Sequence, residues 1–327
     1  MRRREFIALL GGVTAAWPFV VEAQVTSPNI LIAFLGPGSK TTSGRFYDGF
    51  FEGMREFGYQ LDRDYRFEGR YADGDLSRLP SLAEELVHLK PNVIVTGTSP
   101  GALAAKQFTT SIPIVAVTLT DPIGMGVVAS EAHPDTNVTG TLIRLAGMTG
   151  KQLEIGLDLV PGVKKIGVLI NPTNPSNMVQ LEDLKSVPST KGMIFAIIQV
   201  LEPDGLASAF QQLVSEQVEI VLVMNDVMLV NIRRQIAAFA LVARLPTVFN
   251  LREHVEAGGL VSYGTNLRAN FRRAAYFVDR ILKGDKPADL PIEFLPKLEL
   301  VINLATAKAL SLKVPESVLS RTDEVIE

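Results

Sequence analysis

The chain of 327 residues contains no cysteine. That excludes disulfides, thiolate metal sites and cysteine nucleophiles. It also excludes a lipid anchor of the bacterial type, which needs a cysteine at its cleavage site. Histidine is nearly as scarce. His88, His133 and His254 are far apart, and no His-x-x-x-His or similar spacing suggests a metal site. Charge of one sign is also missing. The net charge is −3, and the first 23 residues carry Arg2, Arg3, Arg4, Glu5 and Glu22, a net +1, which leaves −4 for the remainder. Mild acidity of that kind gives no electrostatic basis for binding nucleic acid or an anionic membrane surface. Nucleotide motifs are lacking too. Gly36-Pro37-Gly38-Ser39-Lys40-Thr41 misses the spacing of a phosphate loop, no G-x-G-x-x-G follows the first strand, and there is no G-x-S-x-G elbow. No cofactor is expected.

What is present begins at the N-terminus. Arg2-Arg3-Arg4 is followed by an apolar, small-residue stretch from Phe6 to Val21, then Val21-Glu22-Ala23 before Gln24. This is the layout of a cleavable export signal over residues 1–23. The stretch is shorter than the roughly 20 apolar residues of a membrane span, and Pro18 interrupts it. Arg3-Arg4-Glu5-Phe6-Ile7 matches the pattern of a twin-arginine signal. An ordinary secretory signal and an uncleaved anchor are the alternatives. The expected location is the periplasm, without a lipid anchor.

About 300 residues follow the leader, with hydrophobic residues at 47% of the whole, which supports a full core. They alternate β-branched runs with amphipathic stretches. Asn29–Gly36, Tyr65–Tyr71, Val93–Gly97 and Ile114–Thr118 read as strands. Gly44–Phe57, Arg78–Leu89 and Pro100–Phe108 read as helices, the first from Phe46, Phe50, Met54 and Phe57 at helical spacing. The rhythm restarts after Gly140. Strands are expected at Lys165–Ile170, Met193–Val200, Ile220–Met224 and Pro246–Phe249, and helices at Met148–Leu159, near Met178–Val187, at Gly205–Glu216 and at Asn231–Ala243. Alternation of this kind predicts parallel sheets covered by helices. The fold class is therefore α/β, two doubly wound lobes with a cleft between them. The expected division is 24–140 plus about 262–295 for lobe 1, and 141–261 plus about 296–327 for lobe 2.

In open parallel sheets ligands bind beyond the carboxyl ends of the strands. Those loops contain Ser39, Thr98-Ser99-Pro100-Gly101, Thr120-Asp121-Pro122, Asn171 to Asn174, Asn225-Asp226 and Asn250 to Glu253. Thr98 and Ser99 at a helix start suit an anion such as a carboxylate, or form a plain helix cap. Asp121 beside a proline is either an ammonium receptor or a turn former. Asp226 is either a ligand contact or a cap. His133 and His254 read as surface residues. Phe46, Tyr47, Phe50 and Phe51 read as helix-to-sheet packing and Tyr263 as core or edge, with a place lining a cleft as the alternative for Tyr47 or Tyr263.

Several segments together resemble one family. They are R-R-R-E-F-I-A-L-L-G-G at the start, T-D-P-I-G-M-G at Thr120 to Gly126 and N-V-T-G at Asn137 to Gly140. Further on come R-E-H-V-E-A-G-G-L-V-S-Y-G at Arg252 to Gly264, I-L-K-G-D-K-P-A-D-L-P at Ile281 to Pro291 and L-V-I-N-L-A-T-A-K-A-L at Leu300 to Leu310. Over nearly the whole chain the sequence is similar to the periplasmic substrate-binding proteins of ABC transporters, in the family that includes tryptophan- and tyrosine-binding members. The resemblance implies a type I periplasmic-binding-protein fold, closure of two lobes over a small-molecule ligand, delivery to an ABC permease in the inner membrane, and no catalysed reaction. It implies ligand contacts at Ser39, Thr98, Ser99, Asp121, Asn171 and Asp226. The chain departs from many members at Asn225, where they carry an apolar residue or glycine. An amino acid or related small carboxylate is the expected ligand, and a monomer the expected state. A sensing subunit for a membrane kinase is the second reading. An exported enzyme is the third, and no nucleophile, base and orienter set supports it.

Overall fold

Seven-residue runs such as Ile30 to Gly36 are apolar throughout, as strands buried on both faces must be. The computed structural model describes residues 29–143, 147–187, 192–295 and 297–327 and builds such runs into two sheets. The expected leader lies outside the described residues.

The first half runs β1 (Ile30–Gly36), α1 (Lys40–Glu56), β2 (Tyr65–Tyr71), α2 (Leu79–His88), β3 (Val93–Thr96), α3 (Ser99–Phe108), β4 (Ile114–Leu119) and β5 (Val138–Leu142). The second runs α4 (Met148–Leu159), β6 (Lys165–Ile170), α5 (Pro175–Ser186), β7 (Ile194–Gln199), α6 (Leu206–Ser215), β8 (Ile220–Val223), α7 (Val227–Asn231), α8 (Arg233–Val242), β9 (Thr247–Phe249), α9 (Arg252–Glu256) and β10 (Val261–Thr265). The tail adds α10 (Leu267–Leu282), β11 (Glu293–Phe294), β12 (Leu298–Asn303), α11 (Leu304–Ala309), α12 (Glu316–Leu319) and β13 (Glu324–Ile326).

The first sheet has the order β11-β5-β4-β3-β1-β2, parallel throughout. The second has the order β13-β12-β10-β9-β8-β6-β7, parallel except where β12 runs against β10. Five strands of each sheet thus share the doubly wound order 2-1-3-4-5. Each sheet has a switch point, between β1 and β3 in one and between β6 and β8 in the other, where crossovers leave in opposite directions and open a crevice. Each sheet carries one apolar cluster on either face.

The tail divides its elements. Helix α10 packs against α1, and its Phe271, Ala274, Phe277 and Val278 complete the core over the first sheet. Then β11 pairs with β5 in the first sheet, whereas β12 and β13 join the second. Strand β5 extends to Leu142 in the first sheet, and β10 lies wholly in the second.

Three local departures have identifiable causes. Helix α1 starts at Lys40, because the chain turns straight from Gly38 into the helix. The helix expected over Asn231–Ala243 is α8, and a further short helix, α7, precedes it because the Asp226 side chain caps an earlier turn and the chain breaks at Ile232. Strand β5 was not anticipated, since Val138-Thr139-Gly140-Thr141-Leu142 is short and not strongly apolar.

Candidate functional site

The loops at the two switch points face each other across one cavity. The first-lobe wall begins with Pro37 and Gly38 after β1, and Gly97 to Pro100 between β3 and α3. Thr98 is the N-cap of α3, and its Oγ1 accepts the Gly101 N–H at 3.4 Å. Gly101 is required there, because a Cβ would lie 2.0 Å from Thr96 Oγ1. The Ser99 hydroxyl donates to Thr120 O (3.0 Å) and accepts from Thr120 N–H (2.9 Å), which ties α3 to the end of β4. The Ser99 side chain is thus occupied, leaving its backbone N–H, the Thr98 hydroxyl proton and the Thr120 hydroxyl as donors toward the cavity. Behind them stand aromatic rings. Phe34 and Tyr47 meet edge-on at 4.6 Å, and Phe46 stacks on Phe271 at 6.0 Å. All four rings line the cavity as well as the core.

The opposite wall is made of amides and one carboxylate. Asp226 is 4% exposed and caps α7, with Oδ1 accepting Leu229 N–H at 3.0 Å. Its Oδ2 accepts from Asn171 Nδ2 (3.2 Å) and Asn174 Nδ2 (2.9 Å). Those amides are held in turn. Asn171 N–H donates to Asn177 Oδ1 (2.9 Å), Asn177 Nδ2 donates to Asn225 O (2.8 Å), and Asn225 N–H donates to Gln180 Oε1 (3.0 Å). Asn174 also caps α5 through Ser176 N–H. The network fixes the Asp226 rotamer and supplies no positive charge. Among the described residues Asp226 makes no ion pair, and no Lys, Arg or His lines the cavity. A buried carboxylate satisfied only by neutral donors favours a cation on its open side. Asn250, at the end of β9, and Val227, Val230 and Leu251 complete this wall.

The lobes touch at the rim. Gly74, with φ +95°, follows β2, and a Cβ there would lie 3.2 Å from Asn231 Nδ2 and 3.8 Å from Met228 Cα. The described conformation is therefore closed over the cavity at this edge.

The residues expected at the site divide accordingly. Thr98, Ser99 and Asp226 line the cavity. Asn171 is buried and acts through Asp226. Ser39 adjoins the lining residue Gly38, and its hydroxyl lies 3.2 Å from that of Thr41. Asp121 stands apart: it is exposed, holds φ +44° and accepts Gly124 N–H at 3.0 Å, so its carboxylate serves a turn. His133 is exposed as expected. His254 is not a surface residue. It is 1% exposed and stacks on Phe249 at 4.5 Å beneath the second wall. Burial, followed by the positive field of Arg233, lowers its pKa to about 3. Burial raises the neighbouring Glu253 to about 7. Tyr47, read as packing, also lines the cavity. Asn174, Thr120 and Asn250 lie in the loops read as candidates past the strand ends, although none of them was among the expected contacts.

A family model described as ABC transporter substrate binding protein matches residues 33–326. The chain belongs to that family. A curated tyrosine-binding protein of Clostridioides difficile is 26% identical over 265 residues, 81% of this chain and 76% of that protein. The crystal structure of an ABC domain in complex with L-Trp from Streptococcus pneumonia superposes with a TM-score of 0.82 at 26% identity, covering 91% of this chain and 100% of that one. A conserved domain protein from Vibrio cholerae gives the same TM-score and identity, covering 90% and 99%. The leucine-binding protein LivK of Thermotoga maritima, at 14% identity and a TM-score of 0.55, shares the fold. The fold of this substrate-binding protein is the two-lobed type I periplasmic-binding-protein architecture.

Proposed function

We propose that this protein is the exported solute-binding component of an ABC importer and that its cleft takes an α-amino acid with a large apolar side chain. The observation that carries the reading is Asp226, a buried carboxylate without a cation on the wall facing an aromatic-lined pocket. In this reading the ligand's ammonium meets Asp226. Its carboxylate meets the Thr98 hydroxyl, the Ser99 N–H and the Thr120 hydroxyl at the start of α3, where a helix terminus favours negative charge. Its side chain lies among Phe34, Tyr47 and Phe271. The two charged ends would then be held by different lobes, so the ligand stabilises the closed form over the open one. The tryptophan complex and the tyrosine-binding relative support that ligand class.

The remaining assignments rest on the sequence. The leader over residues 1–23 directs export to the periplasm, with Arg3-Arg4 suited to the twin-arginine route. The mature protein is a monomer that delivers ligand to an inner-membrane permease and catalyses no reaction. Lobe 1 ends at Leu142 and regains the chain from Leu267 to about 295.

The test is calorimetric titration of the mature protein with L-tryptophan, L-tyrosine and L-phenylalanine, alongside Asp226→Asn. Asparagine keeps the cap on α7 but removes the charge. Loss of a buried charge-assisted contact costs about 2–5 kcal/mol, so affinity falls by about 30-fold or more. Undiminished affinity in the variant removes Asp226 from the ammonium site.

A further inference from the structure

Asn250 differs from the amides that support Asp226, and its buried oxygen sets it apart from Asn225 as well. Asn171, Asn174, Asn177 and Gln180 all spend their side chains on backbone or on Asp226. Asn250 is 7% exposed, and its Oδ1 is buried without a hydrogen-bond partner. No hydrogen bond to the rest of its amide occurs among the described residues. An amide in that position costs free energy unless something supplies a partner. Asn250 also lines the cavity. It follows β9, which pairs with β8 as Val221↔Thr247 and Leu222↔Val248. Continuing that register sets Asn250 abreast of Met224, two residues short of Asp226 on the neighbouring chain segment, and adjacent strands are about 4.8 Å apart. The position is fixed from behind, since Gly264 on β10 approaches so closely that a Cβ there would lie 2.0 Å from Asn250 O.

We infer that Asn250 is a specificity residue: its amide oxygen is the second acceptor that, with Asp226, reads a primary ammonium on the ligand. One carboxylate can hold any amine that keeps an N–H. Two acceptors on neighbouring strands require two N–H bonds pointing apart, which a primary ammonium has and a tertiary one lacks. The amide oxygen turns toward the ligand by rotation about the terminal side-chain torsion, which is broad and inexpensive. The inference rests on the amino-acid reading above and adds to it a discrimination between primary and N-alkylated amines.

The experiment titrates wild type, Asn250→Leu and Asn250→Asp with L-tryptophan, Nα,Nα-dimethyl-L-tryptophan and indole-3-propionate. Wild type is expected to bind the dimethyl compound about tenfold more weakly than L-tryptophan, as one hydrogen bond to a charged group is lost. Asn250→Leu weakens L-tryptophan by about tenfold and no longer separates it from the dimethyl compound. Asn250→Asp keeps the acceptor and holds L-tryptophan within about threefold of wild type. Indole-3-propionate, which has no ammonium, binds none of them well. The inference is overturned if wild type treats both amines alike, a comparison that needs no variant to fold. It also fails if Asn250→Leu matches wild type on L-tryptophan, or if Asn250→Asp binds more weakly than Asn250→Leu, which would make the amide a donor to the ligand carboxylate. If indole-3-propionate binds wild type as tightly as L-tryptophan, the ammonium reading fails together with the inference. Wild-type ammonium dependence without an Asn250 effect would remove the inference alone.

Discussion

The two lobes repeat one strand order and present opposite surfaces to the cleft. The first offers rings and hydroxyls: Phe34, Phe46, Tyr47 and Phe271 beside Thr98 and Thr120. The second offers amides and one carboxylate, with Asp226 held by Asn171 and Asn174. Topology is common to both, so it determines where a ligand can sit and not what it is. The difference comes from the segments joined to the strand ends. In the first lobe, a helix brought back from the tail adds its rings to those of α1. In the second, the loop after β6 is rich in asparagine, and its amides are spent on orienting an acid. On the function proposed above, the ligand turns its apolar side chain and carboxylate toward the first lobe and its ammonium toward the second.

The comparison breaks most severely at Phe271, the ring that α10 lends to the first lobe. Phe271→Ala removes a buried aromatic side chain from both core and cavity wall, and is expected to lower unfolding free energy by about 3–5 kcal/mol. Denaturant titration at fixed ligand concentration measures it, and a loss below about 1 kcal/mol would show that the ring is not part of the core.

A smaller effect sharpens the second wall. His254 and Glu253 are adjacent, buried and shifted in opposite directions. Glu253, raised from 4.5 to about 7, contributes stability that is fully present below its unfolded pKa and lost as pH rises toward 7. His254, lowered from 6.5 to about 3, contributes stability that is present above 6.5 and lost as pH falls toward 3. Between about pH 4.5 and 6.5 the two slopes, each of order 1.4 kcal/mol per pH unit, oppose each other and largely cancel. His254→Phe keeps a ring over Phe249 and removes one slope. Its stability relative to wild type should therefore grow steadily from pH 6.5 down to 4.5 in chemical denaturation. A pH-independent difference would mean that His254 takes up its proton in the folded state.

The smallest effect is expected at Asp121. Asp121→Ala removes a turn bond to Gly124 and leaves ligand affinity within about twofold, at a stability cost of about 1 kcal/mol. A large loss of affinity would bring Asp121 back to the ligand and weaken the assignment of charge recognition to the second lobe.

These cases mark how far the chain could be read beforehand. Strand and helix alternation gave both doubly wound sheets, because buried parallel strands advertise themselves as apolar runs. The rule that ligands lie past strand ends reached Thr98, Ser99 and Asp226. It could not separate Asp226 from Asp121, since both are carboxylates after apolar strands. The left-handed backbone at Asp121, which directs its side chain into a turn, leaves no mark beyond a neighbouring proline. Asn171 and Asn250 look equally available as letters, yet one amide is consumed by Asp226 and the other is not. Tyr47 and Phe46 sit at core spacing and are core residues, and the same spacing carries no sign that the core surface opens into a cavity. His254 looked exposed because it stands between charged neighbours in a short helix whose inward face is known only once β9 and β10 are placed.

The allotment of the tail has a consequence for biogenesis. The core of the first lobe is unfinished until α10, residues 267–282, has been made, and the second sheet is unfinished until its terminal strand at residues 324–326. Neither half can reach its final form while the chain is still emerging in order. Assembly is therefore a late event that involves the whole polypeptide at once, and a ribosome holding the last sixty residues holds back both halves together.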